Sequence, residues 1–306
     1  MTTVSVSAQE IREAVSMPEA IDAVRQGFID LANGEFEMPT RTVLRDGQFL
    51  SMPTHHRPSR SAMIKTLSLN FERTPAITGT IVWSALDRLD HLVADAGPVT
   101  TLRTGAIVGV ATDLLAAPDA HELTLIGAGG QAPDQVRAVH AVRPLSRLTV
   151  VDTSTERAQA LVETLQAELD GTEIRTAADA TAAVRDAQIV CCATTATSPL
   201  FPESALPAQV HVNAIGAFRP TMRELPDELL ANSNVVIDEL DAILEESGEI
   251  IHALEAGAIT KDDLTELGTA LTAPPADFGK RTVFKSVGVA MQDWAIARLL
   301  ADKFLN

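Results

Sequence analysis

The sequence predicts an α/β fold: a doubly wound parallel sheet with helices on both faces, preceded by a strand-rich α+β segment. Three observations point to it. From residue 123 onward, six apolar runs ("LTLI", "LTVVD", "EIRTA", "AQIVCCAT", "QVHVNAIG" and "NVVID") alternate with helical patterns such as "STERAQALVETLQAEL", "DATAAVRDA" and "PTMRELPDELL". Near-continuous apolar strands separated by helices form parallel sheets buried on both faces. Before them, about a hundred residues carry short strands and turn signals behind a helix. The length, 306 residues, suffices for two domains.

The first elements are helical. Ser7 with Glu10 and Ser16 with Glu19 are capping boxes, and Ile21, Val24, Phe28 and Leu31 follow the second at helical spacing. In "RTVLRDGQFLSM", Asp46-Gly47 predicts a two-residue hairpin turn, because both residues tolerate positive φ. "SAMIKTLSL", "TGTIVWSAL" and "DHLVADAG" read as further strands, all antiparallel. At Thr101 the pattern becomes helical ("TLRTGAIVGVATDLLA"), a connector packed through Gly105 and Gly109. The last segment, "VFKSVGVAMQDWAIARLLADKF", is predicted as one helix that returns to the first domain, with Val289, Trp294, Ala297 and Leu300 on one side. The expected domains are 1–115 with 286–306, and 116–285.

Composition excludes several functions. Asp and Glu outnumber Lys and Arg by 41 to 24, and a net charge of −17 repels nucleic acid and anionic membrane. No apolar run spans a bilayer, and the N-terminus lacks a secretory pattern, so a cytoplasmic location is expected. The two cysteines, Cys191 and Cys192, are adjacent in a strand and point to opposite faces, so neither a disulfide nor a metal site is expected. With no tyrosine in the chain, mechanisms that use a Tyr general acid are ruled out.

The glycine turn carries the first chemical signal. In "LTLIGAGGQAPDQ", Gly127, Gly129 and Ala132 form a G-x-G-x-x-A string between the first parallel strand and a helix. The first Gly permits the tight turn, the second lets backbone approach a pyrophosphate, and the small third residue lets helix pack on strand. Amides at the helix start face the phosphates. Asp152 closes the second strand, where a carboxylate accepts hydrogen bonds from an adenosine ribose and repels a 2′-phosphate. NAD(H) is therefore favoured, with NADP(H) possible because Arg157 is near.

Three cations stand out in so acidic a chain. Arg41 precedes the hairpin, Lys65 interrupts the apolar strand "AMIKTL", and Arg103 falls in the first turn of the connector helix, where it adds to the positive end of the dipole. Such a trio can hold a substrate carboxylate, arginine as a two-pronged fork and lysine as a titratable point charge.

Six blocks, in order and across nearly the whole chain, resemble the ornithine cyclodeaminase and mu-crystallin family: "PTRTVL", "AMIKTLSLNF", "TTLRTGAIVGVAT", "LIGAGGQA", "VNAIGAFRPTMREL" and "VFKSVGVAMQDWAIA". The resemblance implies a homodimer, its first-domain strands paired across a two-fold axis, with a Rossmann-type nucleotide domain. It implies that Arg41, Lys65 and Arg103 grip a small carboxylate-bearing substrate beside the nicotinamide, Lys65 either completing that clamp or donating a proton. It implies cofactor contacts at Thr80, Arg103, Gly127, Gly129, Gly130, Gln131, Ala132, Asp152, Thr194, the "VNAI" turn from Val212 to Ile215, and Ser286. Phe218 and Val287 are implied to line the substrate pocket.

One departure narrows the activity. Cyclodeaminases carry an acidic residue in a G-G-D-C-P-G-K block, where this chain has Gly216 to Met222 with Phe218 in between. Phe218 cannot accept a proton, so the expected activity is NAD(P)H-dependent reduction at the C=N bond of small imino or 2-oxo acids, or the reverse oxidation of an amino acid. The competing readings are a cyclodeaminase and a non-catalytic, crystallin-like binder of the cofactor.

Overall fold

The computed structural model describes residues 2–305 except 71, 74, 275–278 and 280. Two compact units emerge: the chain up to Ile107 together with the residues from Val289 on, and Val108–Gly288.

The first unit is built on a seven-stranded sheet. Its strands are β1 (Thr3–Val6), β2 (Phe36–Glu37), β3 (Thr42–Leu44), β4 (Phe49–His56), β5 (Ser61–Leu69), β6 (Ile77–Ala85) and β7 (His91–Asp95), in the order β1-β7-β6-β5-β4-β2 with β3 on β4. The expectation of an all-antiparallel sheet fails at one edge, where β1 runs parallel to β7. No hairpin links those two strands, so turn geometry does not dictate their direction. The hairpin of β3 and β4 also differs from expectation. Arg45 takes positive φ along with Asp46 and Gly47, so the ladder ends at Leu44 opposite Phe49, and four residues make the turn.

Both capping boxes form, opening α1 (Ala8–Ala14) and α2 (Met17–Ala32). Helix α2 buries Ile21, Val24 and Phe28. The C-terminal helix, Ala290–Phe304, packs on α2 and on the sheet. At Gly27 a Cβ would stand 2.3 Å from Met291 Sδ, so a larger residue would have to push the Met291 side chain aside.

Helix α3 (Ala96–Leu115) begins five residues before the expected start. Arg103 is its eighth residue, beyond the first turn, so the unfavourable dipole position inferred from the sequence does not occur. The strand read as "DHLVADAG" ends at Asp95, and Ala96-Gly97 belong to the helix.

The second unit is an eight-stranded parallel sheet. Its strands are β8 (Glu122–Ile126), β9 (Arg147–Val151), β10 (Glu173–Ala177), β11 (Ile189–Cys192), β12 (Val210–Ala214), β13 (Asn234–Ile237), β14 (Leu264–Glu266) and β15 (Arg281–Lys285). The order is β10-β9-β8-β11-β12-β15-β13-β14. Connections leave β8 to one side and β11 to the other, so the switch point where ligands bind in such sheets lies between those strands' carboxyl ends.

Two strands differ from expectation. β15 is the "RTVFK" run, whose "VFK" the sequence assigns to the start of the last helix; it inserts between β12 and β13 with Thr282 to Lys285 buried. Gly288, at φ +84°, then breaks the chain before the helix. The short β14 pairs with β13 at the sheet edge. Of "PTMRELPDELL" only the end is helical, in a helix Asp227–Ala231, because the preceding residues loop back so that Arg223 bridges Thr197.

Cys191 and Cys192 are free and buried, and burial pushes the Cys191 thiol up to about 12. Among the described residues no helix is long and apolar enough to cross a membrane.

Candidate active site

In the first unit, elements far apart in sequence converge on one carboxylate. Lys65 lies on the buried face of β5, opposite Met52 and Ile81 of its neighbours, and its side chain is 1% exposed. Its Nζ donates to Asp293 Oδ1 at 2.9 Å, from the first turn of the C-terminal helix. Arg103 reaches the same oxygen with Nε at 3.5 Å and donates through Nη1 to Gln292 Oε1. Asp293 and Gln292 are wholly buried. A lone carboxylate there would be expelled in its charged form; two cations make it tenable.

Burial pushes the Lys65 ammonium down to about 8; Asp293 pulls it up, while the charges of Arg103 and Arg41 push it further down. Arg41, half-buried in the loop between β2 and β3, therefore belongs to the electrostatic neighbourhood of Lys65. Of the three predicted cations, Lys65 and Arg103 meet on Asp293, and Arg41 reaches Lys65 through its field. Positive groups outnumber the negative group between them, so the cluster favours an anion. Asp293 Oδ2 and Gln292 Nε2 are buried without hydrogen-bond partners, polar capacity that a bound polar molecule would satisfy.

Thr80 is placed differently. It pairs with Thr66, one step along from the Lys65–Ile81 pair, so it projects from the opposite, exposed face of the sheet.

In the second unit the glycine turn sits at the switch point. Gly127 has φ +100°, and a Cβ there would lie 2.5 Å from Ala193 O, at the end of β11. Gly129 and Gly130 face open space. Helix α4 (Ala132–Val142) follows with Ala132 fully buried, and its N-cap, Gln131, makes no side-chain cap bond. Gln131 Oε1 is buried without a hydrogen-bond partner. Open space over two glycines and an uncapped helix start fit a pyrophosphate.

Asp152 follows β9, its side chain 7% exposed. Oδ2 accepts from Ala128 N in the glycine turn at 2.7 Å; Oδ1 accepts from Ser154 N at 2.7 Å and Arg157 Nη2 at 2.8 Å. Burial alone would raise this carboxyl, but these three donors outweigh it and leave the pKa lowered. Ser154 caps α5 (Thr155–Gln166).

The remaining cofactor candidates surround two buried carboxylates that the sequence alone does not single out. Glu224, fully buried, accepts from Thr194 N and Oγ1 through one oxygen and from Gly216 N and Ala217 N through the other, at 2.7–3.1 Å. Burial raises its pKa in spite of Lys285, which donates to Ala217 O and pairs with Glu249. Asp238 Oδ2 gathers Ser286 Oγ, Val287 N and Gly288 N at 2.8–2.9 Å. Ile215 begins the turn after β12, whereas Val212 is inside that strand and wholly buried, so the turn expected at 212–215 starts only after Ala214. Phe218 and Arg219 follow, half-buried, the guanidinium 5.6 Å from the ring centre.

Asp293 and Gln292 also escape a reading of the sequence. Their signal is a carboxylate and an amide in the first turn of an otherwise apolar helix, a pattern that equally describes an ordinary helix start.

Comparison with known proteins agrees with the architecture. The profile of the ornithine cyclodeaminase/mu-crystallin family matches residues 1–306. A Delta(1)-pyrroline-2-carboxylate reductase of Bacillus cereus is 33% identical over 314 residues, covering 97% of this chain and 95% of the relative. Among solved structures, Thermococcus litoralis Delta(1)-pyrroline-2-carboxylate reductase, in complex with NADH and L-proline, superposes with a TM-score of 0.92 at 30% identity, covering 100% and 98% of the two chains. An archaeal alanine dehydrogenase dimer with bound NAD gives 0.91 at 26%, covering 100% and 97%.

Proposed function

The chain belongs to the ornithine cyclodeaminase/mu-crystallin family, and from that premise we propose that it is an NAD-dependent reductase of small cyclic imino acids of the pyrroline-2-carboxylate type. The observation that carries this reading is the buried meeting of Lys65 and Arg103 on Asp293, with Arg41 near enough to act on Lys65. The B. cereus and T. litoralis relatives, similar over nearly their whole length, carry that activity in their names.

A bound reduced dinucleotide would supply the hydride that the imine carbon takes up. Gly127, Gly129, Gly130, Gln131 and Ala132 would hold its pyrophosphate, Asp152 its adenosine ribose, and Arg103, Thr194, Ile215 and Ser286 the remainder. Glu224 and Asp238 position these groups without touching the ligand. Arg41 and Arg103 fix the substrate carboxylate, an orientation that makes the transfer effectively unimolecular. Reduction of C=N also consumes a proton at nitrogen, and Lys65, poised near 8 by burial, donates it from Nζ. Phe218 and Val287 form the apolar wall against which the ring rests. Phe218 in place of an acid disfavours cyclisation of a diamine, since no group there can take up the amine proton.

Oligomer and location follow from the same reading. Leu44, Phe49 and Ile64 lie on the exposed face of the first unit's sheet, at 57%, 47% and 40% exposure. A second copy covering that face makes a homodimer, to be checked by sedimentation equilibrium. The enzyme works in the cytoplasm, where its reduced cofactor is regenerated.

The test is oxidation of NADH by purified protein, followed by the loss of reduced-nicotinamide absorbance. Turnover with a cyclic imino acid is expected, with little for pyruvate plus ammonia and no proline from ornithine. NADH binding without turnover on any imino or 2-oxo acid would leave the non-catalytic reading standing.

A further inference from the structure

The reductase reading leaves one buried group of the first unit unused. His56, at the end of β4, is 3% exposed, and its Nε2 makes no hydrogen bond. Two carboxylates face that atom: Asp30 Oδ2, from the last turn of α2, at 3.4 Å, and Glu35 Oε2 at 3.6 Å. One ligand atom from each residue lies within 4.8 Å of the others. Both separations exceed a good N–H···O bond. They match the edges of a tetrahedral coordination shell, where ligands at zinc's bond lengths stand about 3.4 Å apart.

We propose that Asp30, Glu35 and His56 bind one divalent transition-metal ion of zinc's class per chain, through one oxygen of each carboxylate and the imidazole Nε2. One imidazole and two carboxylates form a borderline ligand set that suits zinc, with water in the fourth position. The surroundings prepare each ligand. Gln26 Nε2 donates to Asp30 Oδ1 at 2.7 Å, leaving Oδ2 turned toward the site. His56 Nδ1 lies 2.8 Å from Ser59 Oγ. Ser59 N also approaches Nδ1, at 3.4 Å; ion binding selects the tautomer in which Nδ1–H donates to Ser59 Oγ and the Nε2 lone pair faces the ion.

Burial lowers the imidazole pKa, in the direction of the neutral form that ligates metals. Asp30 and Glu35 oppose that shift, while Arg298 is the cation whose field reaches His56 and works against an incoming ion; two carboxylates outweigh it. Glu35, 37% exposed in its side chain, gives the ion its way in. Trp294 reports on occupancy, because its ring centre is 4.5 Å from that of His56 and its Nε1 donates to Ser61 Oγ, which in turn meets Ser59 Oγ.

The test strips the full chain with a chelator and titrates it with zinc chloride by calorimetry, with tryptophan fluorescence in parallel. Saturation at one ion per chain is expected, with a fluorescence change and a higher Tm. Glu35→Gln, a half-exposed change that spares the fold, should weaken binding at least about tenfold, and His56→Gln should remove it. Surface His252→Gln should leave it unchanged. Absence of saturable binding overturns the proposal, as does equal binding by wild type, Glu35→Gln and His56→Gln, which would mark adventitious surface sites. Zinc-independent behaviour in which Glu35→Gln shifts only the titration of His56 would make a proton the occupant instead and overturn it equally. None of these outcomes depends on reductase activity.

Discussion

On the proposed reading, the two units solve the same problem, holding an anion, by opposite means. In Val108–Gly288 the candidate phosphate site is made of backbone: a glycine at φ +100°, open space at two more, and an uncapped helix start, all within a short stretch of chain. In the other unit the candidate anion site is made of full charges, Lys65 and Arg103 meeting on Asp293 and Arg41 acting on Lys65 through its field. Backbone amides bind a phosphate with no titration and little discrimination. Buried charges bind selectively, respond to pH, and demand a counter-ion before any ligand arrives.

The largest expected effect tests the charged site. Lys65→Met should lower kcat/KM by about 10²–10⁴-fold, the range for losing a general acid, while the dissociation constant of NADH, from fluorescence titration, stays within about threefold. A comparable loss of NADH affinity would remove the separation between the two sites. In wild type, kcat/KM should be level below pH 8 and fall above it. Burial has lowered the Lys65 pKa to about 8, so the ammonium form is present below that value and lost as pH rises through it.

Asp293→Asn sharpens the same point. Asp293 raises the Lys65 pKa, so removing its charge should move the alkaline limb to lower pH. It should also leave two buried cations without their partner, at a cost of about 3–5 kcal/mol in unfolding free energy. A pH profile that keeps its limb near 8 would show that Lys65 is not the titrating group.

Gly127→Ala probes the backbone site. The new methyl would stand 2.5 Å from Ala193 O on a backbone at φ +100°, strain of about 1–3 kcal/mol. The expected result is a KM for NADH raised about tenfold or more, with the substrate KM and the pH limb unchanged. A shift of that limb would mean that the sites are not independent.

This contrast also explains what the sequence discloses. Gly127, Gly129, Ala132 and Asp152 are legible because their proposed role is local: a strand, a turn and a helix lie within one window, and the turn dictates glycine. Alternating apolar runs likewise announce most of the parallel sheet. β15 stays hidden because "VFK" is too short to distinguish a buried strand from a helix start by periodicity, and Gly288 alone does not arbitrate. Lys65 stands out as a charge inside an apolar strand. Its counter-ion does not, for Asp293 lies 228 positions away, and nothing local marks a helix-start aspartate as half of a buried pair. Glu224 and Asp238 escape notice for the same reason: their work is to gather backbone amides that are neighbours only after folding.

The smallest expected effect concerns cofactor choice, where the two kinds of anion recognition meet in one residue. Asp152 places a full charge beside the backbone site, and its oxygens already hold Ala128 N and Arg157. A 2′-phosphate on the ribose would meet that carboxylate, so NADH should be preferred. Asp152→Ser removes the repulsion, keeps an acceptor for the ribose and frees Arg157 to meet the phosphate. The ratio of kcat/KM for NADPH to that for NADH should rise about tenfold, equivalent to ~1.4 kcal/mol. Stability should respond with a definite sign. The Asp152 pKa is lowered in the fold, so its contribution is present above the unfolded carboxyl value of about 3.9 and is lost as pH falls through the folded value. The Tm difference between wild type and Asp152→Ser should accordingly narrow in acid. If the cofactor ratio does not move, selectivity at the ribose comes from shape alone, and the charge at Asp152 serves only to brace the glycine turn through Ala128.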